Sequence, residues 1–205
     1  GWRFMLSAKP NSAHQALVKL EQLGLVSFIV TQNVDGLHQR AGSRRVIDLH
    51  GRVDRVSCMD CGLKLPRGPL QNWLEANNPG YARLSGAIAP DGDADLDQLD
   101  YSQLAVPDCE HCGGVLKPDA VFYGDSVPKE TVASGQQQLQ QAEGLLVVGS
   151  SLMVYSGYRF CRWAEQQGKP IVLLNQGVTR ADDLATVKDQ SSCGIVLSSW
   201  LDSEA

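Results

Sequence analysis

Apolar positions along the chain follow two patterns. The first has helical spacing. Leu17, Leu20 and Leu23 share one face, behind Ser12 and Gln15, with Pro10 just outside and Gly24 just beyond. Ser12 and Gln15 fit a capping box, so a helix is predicted from about Asn11 to Gly24. His14 falls in its first turn and reads as helix surface or packing. The second pattern is short and continuous. Residues 26–30, 120–123, 145–148 and 171–174 are apolar runs that stop at polar or glycine clusters, which predicts strands, the third of them buried and parallel. Shorter apolar runs lie at 46–47 and 195–197. Residues 129–143 predict a polar, Gln-rich helix, and another begins near Tyr155. Residues 1–10 predict an irregular lead-in. The class is α/β.

Polar residues cluster just past these predicted strands. Gln32, Asn33 and Asp35 follow the run 26–30, and ligands of open α/β sheets bind at the carboxyl ends of strands. Two amides and a carboxylate there can bond sugar hydroxyls and a carboxamide. His50, between Leu49 and Gly51, can act as a base near neutral pH. The run 145–148 ends in Gly149-Ser150-Ser151-Leu152 before a helix, a turn that offers N–H groups and hydroxyls to an anion or a ribose. Asn175 ends the run 171–174, followed by Gln176 and Gly177. Taken singly, each has a plain alternative: an Asx-turn, a structural histidine, an ordinary small-residue turn.

Composition narrows the class. With 205 residues and 43% apolar content there is room for one domain plus a small module. No apolar run approaches the roughly 18 residues of a membrane span. Gly1-Trp2-Arg3-Phe4-Met5 lacks the features of a signal peptide and an initiator methionine, so a fragment is expected. Net charge is −5 without a basic stripe, which argues against electrostatic nucleic-acid binding. Acid is concentrated in Asp91, Asp93, Asp95, Asp97 and Asp100. An EF-hand there would need glycine and glutamate where Leu96 and Ser102 stand, so a solvated acidic loop is expected. The pairs Cys58/Cys61 and Cys109/Cys112, followed by Gly62 and Gly113-Gly114, read as two zinc knuckles. Four thiolates close the shell of one structural Zn²⁺, and the paired spacing leaves His111 outside it. Residues 70–106 form an excursion between the knuckles, and Cys161 reads as a small core residue.

The string Thr31-Gln32-Asn33-Val34-Asp35-Gly36-Leu37-His38-Gln39-Arg40-Ala41-Gly42-Ser43, followed by Leu49-His50-Gly51, resembles the sirtuin family of NAD-dependent protein deacylases. Gly149-Ser150-Ser151-Leu152-Met153-Val154 looks like that family's second cofactor signature, and the likeness runs along essentially the whole chain. It is nearest the class II branch, through Ala89-Pro90-Asp91-Gly92-Asp93, Lys117-Pro118-Asp119 and Val154-Tyr155-Ser156-Gly157-Tyr158-Arg159.

The resemblance implies a Rossmann-like parallel sheet with helices on both faces, formed by residues 1–51 and 117–205, and a zinc-binding small domain of residues 52–116 with an acidic insert. It implies NAD across the sheet's carboxyl edge. Asn33 and Asp35 would hold the nicotinamide ribose and carboxamide, with Gln32 in support. Val34, Gly149, Ser150, Ser151, Asn175, Gln176, Gly177 and Cys193 would complete the cofactor site, and Val121, Phe122, Gly124 and Val154 would line a groove for an acyl-lysine peptide. In the implied chemistry the acyl oxygen attacks the ribose carbon as nicotinamide leaves, and His50 takes a proton through the ribose hydroxyls. The products are deacylated lysine, nicotinamide and O-acyl-ADP-ribose, with ADP-ribosyl transfer as a side activity. No nucleic acid or membrane partner is implied. The location is cytoplasmic, or the mitochondrial matrix in a eukaryote. One departure stands out. Sirtuins begin with a strand, a Gly-Ala-Gly turn and a flexible loop that grip NAD, and this sequence has neither that turn nor G-x-G-x-x-G. The domain is therefore expected to be N-terminally incomplete. The rival expectation is a catalytically impaired, zinc-stabilised peptide-binding module.

Overall fold

In chain order the first elements are α1 (Trp2–Ser7), α2 (Ser12–Gln22), β1 (Ile29–Thr31), α3 (Leu37–Ala41), β2 (Val46–Asp48), β3 (Gly51–Cys58) and β4 (Lys64–Pro66). They are followed by α4 (Arg67–Asn77), α5 (Pro79–Ala82), β5 (Leu116–Ala120), α6 (Lys129–Gln141) and β6 (Leu145–Val148). The last are α7 (Tyr155–Gln166), β7 (Ile171–Leu174), a 3₁₀ turn at Asp182–Leu184, β8 (Val187–Asp189) and α8 (Cys193–Asp202). This is a computed structural model, and it describes residues 2–82 and 100–202. The acidic run 91–97 and the 89–93 insert lie outside the described residues.

The chain divides into two units. One comprises Lys9–Asn33, Leu37–His50 and Val121–Ala205. Its strands are parallel: β1 pairs with β2, and β6-β7-β8 form a second sheet. The parallel architecture expected from the sequence is present as these two hydrogen-bonded pieces. Alternation along β6 and β7 divides the interior in two. Val147, Ile171 and Leu173 join Leu139 of α6 and Phe160, Cys161 and Ala164 of α7 in one cluster. Leu174, with partly buried Leu146, Val148 and Val172, joins Ala16, Leu17 and Leu20 of α2 and Leu197 of α8 in the other. Helices therefore cover both faces, as expected.

The other unit comprises Gly1–Ala8, Val34–Gly36 and Gly51–Ala120. Its sheet is antiparallel, in the order β4-β3-β5, with a register irregularity between Arg52 and Val56. Asp119 on β5 ties the three strands, ion-paired with Arg55 Nε at 3.4 Å and with Lys64 Nζ at 3.1 Å.

Several local expectations are corrected. Residues 2–7 are helical rather than irregular; six residues carry no periodic signal, and Trp2 gains its place under the Arg67 guanidinium, 4.6 Å from the ring centroid. Helix α2 is capped by Asn11 and His14 rather than by Ser12 and Gln15. Asn11 Oδ1 accepts from the His14 N–H at 3.1 Å, and His14 Nδ1 accepts from the Asn11 N–H at 3.3 Å. Leu23 lies past the helix end and is exposed. The first strand starts at Ile29, because the N–H groups of Leu25 and Val26 both terminate α2 by donating to Leu20 O. The expected strand 120–123 is displaced to Leu116–Ala120. Beyond it the Asp125 carboxylate accepts from the Phe122 N–H at 3.3 Å and closes a turn. The apolar run 195–197 lies in α8, with Leu197 buried and Ile195 exposed.

Candidate active site

The site is built where three carboxyl ends of strands meet their following turns. At the end of β1, buried Thr31 accepts through Oγ1 from the Asn33 N–H at 3.1 Å, which turns the chain and leaves Asn33 exposed. The ladder continues one step past β2, with Leu49 N–H donating to Thr31 O at 2.9 Å. Leu49 is 1% exposed, so it anchors the next residue. That residue is His50, half-buried, with Nδ1 3.0 Å from the Gln32 carbonyl. A carbonyl oxygen only accepts, so Nδ1 carries the proton and Nε2 is the basic nitrogen. Burial pushes the His50 pKa below 6.5, against a smaller upward pull from the Gln32 carbonyl. The ring is neutral at pH 7 and able to accept a proton.

The Gln32 side chain joins the second strand end. Its Oε1 accepts from Ser150 Oγ at 3.1 Å, and Ser150 Oγ accepts from the Leu152 N–H at 3.2 Å. Leu152 has φ +57, the one non-glycine residue with positive φ among the described residues, and its side chain is buried in the core shared with α7. Such a conformation costs on the order of 1–3 kcal/mol and persists only where the surroundings hold it. Arg180 holds the far side of the loop, donating N–H to Ser151 O at 2.9 Å and Nη1–H to Met153 O at 3.1 Å, with its guanidinium 4.5 Å from the Tyr158 ring centroid. Gly157 makes room for the Gln32 amide, since a Cβ there would come within 2.5–2.7 Å of three of its atoms.

At the third strand end Asn175 N–H donates to Asp189 O at 3.0 Å, with Gln176 and Gly177 exposed beyond it. Cys193 opens α8 and its Sγ donates to Leu174 O at 3.2 Å. Amides, hydroxyls and helix N-termini at successive strand ends form a donor set suited to riboses and a pyrophosphate. Phe122, Tyr123, Met153, Val154 and Tyr155 are exposed apolar side chains of this same unit. Val34 and Asp35 belong to the other unit, where Val34 O accepts from the Val53 N–H at 2.9 Å.

That other unit holds the four cysteines. Their Sγ atoms all lie within 4.8 Å of one another, with Cys58–Cys112 at 3.5 Å and Cys61–Cys109 at 3.9 Å. A tetrahedron with Zn–S bonds of about 2.3 Å has edges of about 3.8 Å, so the thiols fit Zn²⁺. The two knuckles repeat one turn: Gly62 N–H donates to Cys58 O at 3.1 Å, and Gly113 N–H to Cys109 O at 2.7 Å. The backbone N–H of Cys61 helps draw the Cys58 thiol down to about 7, toward the thiolate a metal requires.

Sequence reasoning missed Ser156 and Arg180. Ser156 Oγ lies 2.7 Å from His50 Nε2 across more than a hundred residues, and no spacing rule marks it. Arg180 sits in a polar stretch whose meaning depends on the loop it pins.

The comparisons with known proteins agree with this geometry. Residues 2–156 match the family model described as the Sir2 family. The chain is 53% identical over 197 residues to an NAD-dependent protein deacetylase of Bordetella bronchiseptica, covering 96% of this chain and 72% of that protein. It is 49% identical to the NAD-dependent protein lipoamidase sirtuin-4, mitochondrial, of Bos taurus, over 96% of this chain and 62% of that protein. Among solved structures, Sir2 bound to an acetylated peptide superposes with TM-score 0.78 at 31% identity, covering 99% of this chain and 77% of that one. A Sir2–p53 peptide–NAD⁺ complex gives TM-score 0.77 at 31% identity, over 99% and 76% of the two chains. Sequence, fold and strand-end chemistry thus converge, and the chain belongs to the Sir2 family, the sirtuins.

Proposed function

We propose that the chain is an NAD-dependent protein-lysine deacylase that releases nicotinamide and O-acyl-ADP-ribose, with His50 as general base. One observation carries this reading. The Gln32 carbonyl accepts from His50 Nδ1–H, which leaves Nε2 as the proton acceptor, beside the amides and hydroxyls of the strand ends. NAD would supply the leaving group and the ribose hydroxyls. Gln32, Asn33, Val34, Asp35, Ser150, Ser151, Asn175 and the turns at Gly149, Gln176–Gly177 and Cys193 are the residues we assign to holding it. Val121, Phe122, Gly124 and Val154 are assigned to the acyl-lysine peptide. The bacterial deacetylases and the peptide-bound Sir2 structures support the activity. We further place the chain in the class II branch, on the Lys117-Pro118-Asp119 and Val154-to-Arg159 runs. A cytoplasmic location is part of the reading, with the mitochondrial relative as its alternative, to be decided by fractionation. Among the described residues no helix is long and apolar enough to cross a membrane.

The test is nicotinamide release from NAD with a panel of acyl-lysine peptides. Release that depends on peptide is expected. His50→Ala should lower it about 10²–10⁴-fold, the usual contribution of a general base. The base works only when neutral and its pKa is lowered, so kcat/KM should hold at pH 7 and fall only below pH 6.5. An acid limb above 6.5 would contradict the burial argument. Peptide binding indifferent to NAD, without release, would point instead to a peptide-binding module.

Gly157→Ala separates binding from stability. Alanine improves helix propensity by up to about 1 kcal/mol, yet its methyl displaces the Gln32 amide. Thermal stability should stay level while KM for NAD rises several-fold, measured by initial rates and a melt. An unchanged KM would show that Gln32 does not set cofactor affinity.

A further inference from the structure

A general base must keep its place in two protonation states. His50 Nδ1–H donates to the Gln32 carbonyl in either state, so one side of the ring is provided for. The other side changes role. Neutral Nε2 needs a donor; protonated Nε2–H needs an acceptor. Ser156 Oγ, 2.7 Å away and 7% exposed, is the group at that nitrogen. A hydroxyl donates and accepts, and it exchanges the two roles by rotating its hydrogen with no heavy atom moving. Carbonyls, carboxylates and ammonium groups serve only one state.

We infer that Ser156 is a positioning residue for the base. Its hydroxyl keeps the His50 ring hydrogen-bonded and oriented before and after Nε2 takes up its proton. The placement follows from the fold. Ser156 is the second residue of α7, which packs through Phe160, Cys161 and Ala164 on the same core that buries Leu49 next to His50. Gly157 beside it lets α7 approach Gln32, the residue on the opposite side of the ring. Ring, carbonyl and hydroxyl are thus fixed by three separate backbone segments. This inference rests on the reading of His50 as base, and it adds a residue that the cofactor and peptide signatures do not include.

The test has two arms. In the first, ¹⁵N-imidazole spectra are recorded without NAD or peptide. Wild type should show one Nδ1–H tautomer in a single orientation at neutral pH. Ser156→Ala should show exchange-broadened or mixed-tautomer signals. Ser156→Thr, which keeps the hydroxyl, should restore the wild-type pattern, and Ser156→Cys, a weak donor, should fall between. In the second, Ser156→Ala should lower kcat about tenfold with peptide KM within about twofold, and Ser156→Thr should recover it. Spectra and kcat unchanged in Ser156→Ala would overturn the inference, as would loss in Ser156→Thr equal to that in Ser156→Ala. If wild type releases no nicotinamide, the functional reading fails by itself, and the imidazole spectra still decide the role of Ser156.

Discussion

Gly51→Ala is expected to destroy the fold of the unit that carries β3, and activity with it. Gly51 has φ +75 and pairs with Ala120 at the start of the β3–β5 ladder. A methyl there would sit well inside contact distance of the Asp119 carbonyl oxygen, 2.9 Å from its carbonyl carbon and 3.1 Å from Ala120 Cα. All three atoms are backbone, so no rotamer change relieves the overlap. A left-handed alanine by itself costs roughly 1–2 kcal/mol. Separating two paired strands adds more, so the total exceeds about 4 kcal/mol, a large share of a domain's stability. Asp119 would leave Arg55 and Lys64 as well. His50 is the preceding residue, and its carbonyl accepts from the Val121 N–H at 2.9 Å, so a shift at Gly51 is passed along the backbone to His50. Thermal unfolding and zinc content of Gly51→Ala measure the effect. A variant that melts within about 3 °C of wild type, with activity intact, would show that the ladder yields where the geometry says it cannot.

Zinc removal is the second large effect. Among the described residues of the unit with β3, Val56, Cys58 and Cys109 are the buried apolar side chains, and α4 buries none of its residues. So small a core cannot offset the entropy of ordering that unit. A structural Zn²⁺ contributes on the order of 10–16 kcal/mol of apparent binding free energy, which counts as folding free energy. Chelation, or Cys109→Ser, is therefore expected to unfold this unit selectively. The other unit has two apolar clusters of its own and should keep its structure. Hydrogen exchange reads the difference: β3, β4 and β5 amides should lose protection in EDTA while β6 and β7 amides retain it. Protection of β3–β5 in metal-free protein would mean that the cysteines do not hold this unit together.

Legibility followed the range of the interaction. Strands β6 and β7 were visible because both faces are covered, which makes each an unbroken apolar run. Strand β8, Val187-Lys188-Asp189, was not, since an edge strand needs few apolar residues and exists here by pairing with β7. Strand β5 carries a lysine, a proline and an aspartate, and only its ladder with β3 makes it a strand. The cap of α2 slipped by one residue because Asn11 outcompetes Ser12 as N-cap once His14 can answer it.

The site divides the same way. By itself the sequence determined which candidate groups stand where: a histidine, amides and hydroxyls after apolar runs, and thiols in two pairs. Residue type and local spacing encode these, since a turn at a strand end and a CxxC knuckle close over a few residues. Tertiary structure alone decided the state of His50. The Gln32 carbonyl assigns the His50 proton to Nδ1, Ser156 meets Nε2 from α7, and burial lowers the pKa. Each contact joins segments distant in the chain, so local pattern could not encode it; packing of the strands and α7 around Leu49 brought them together.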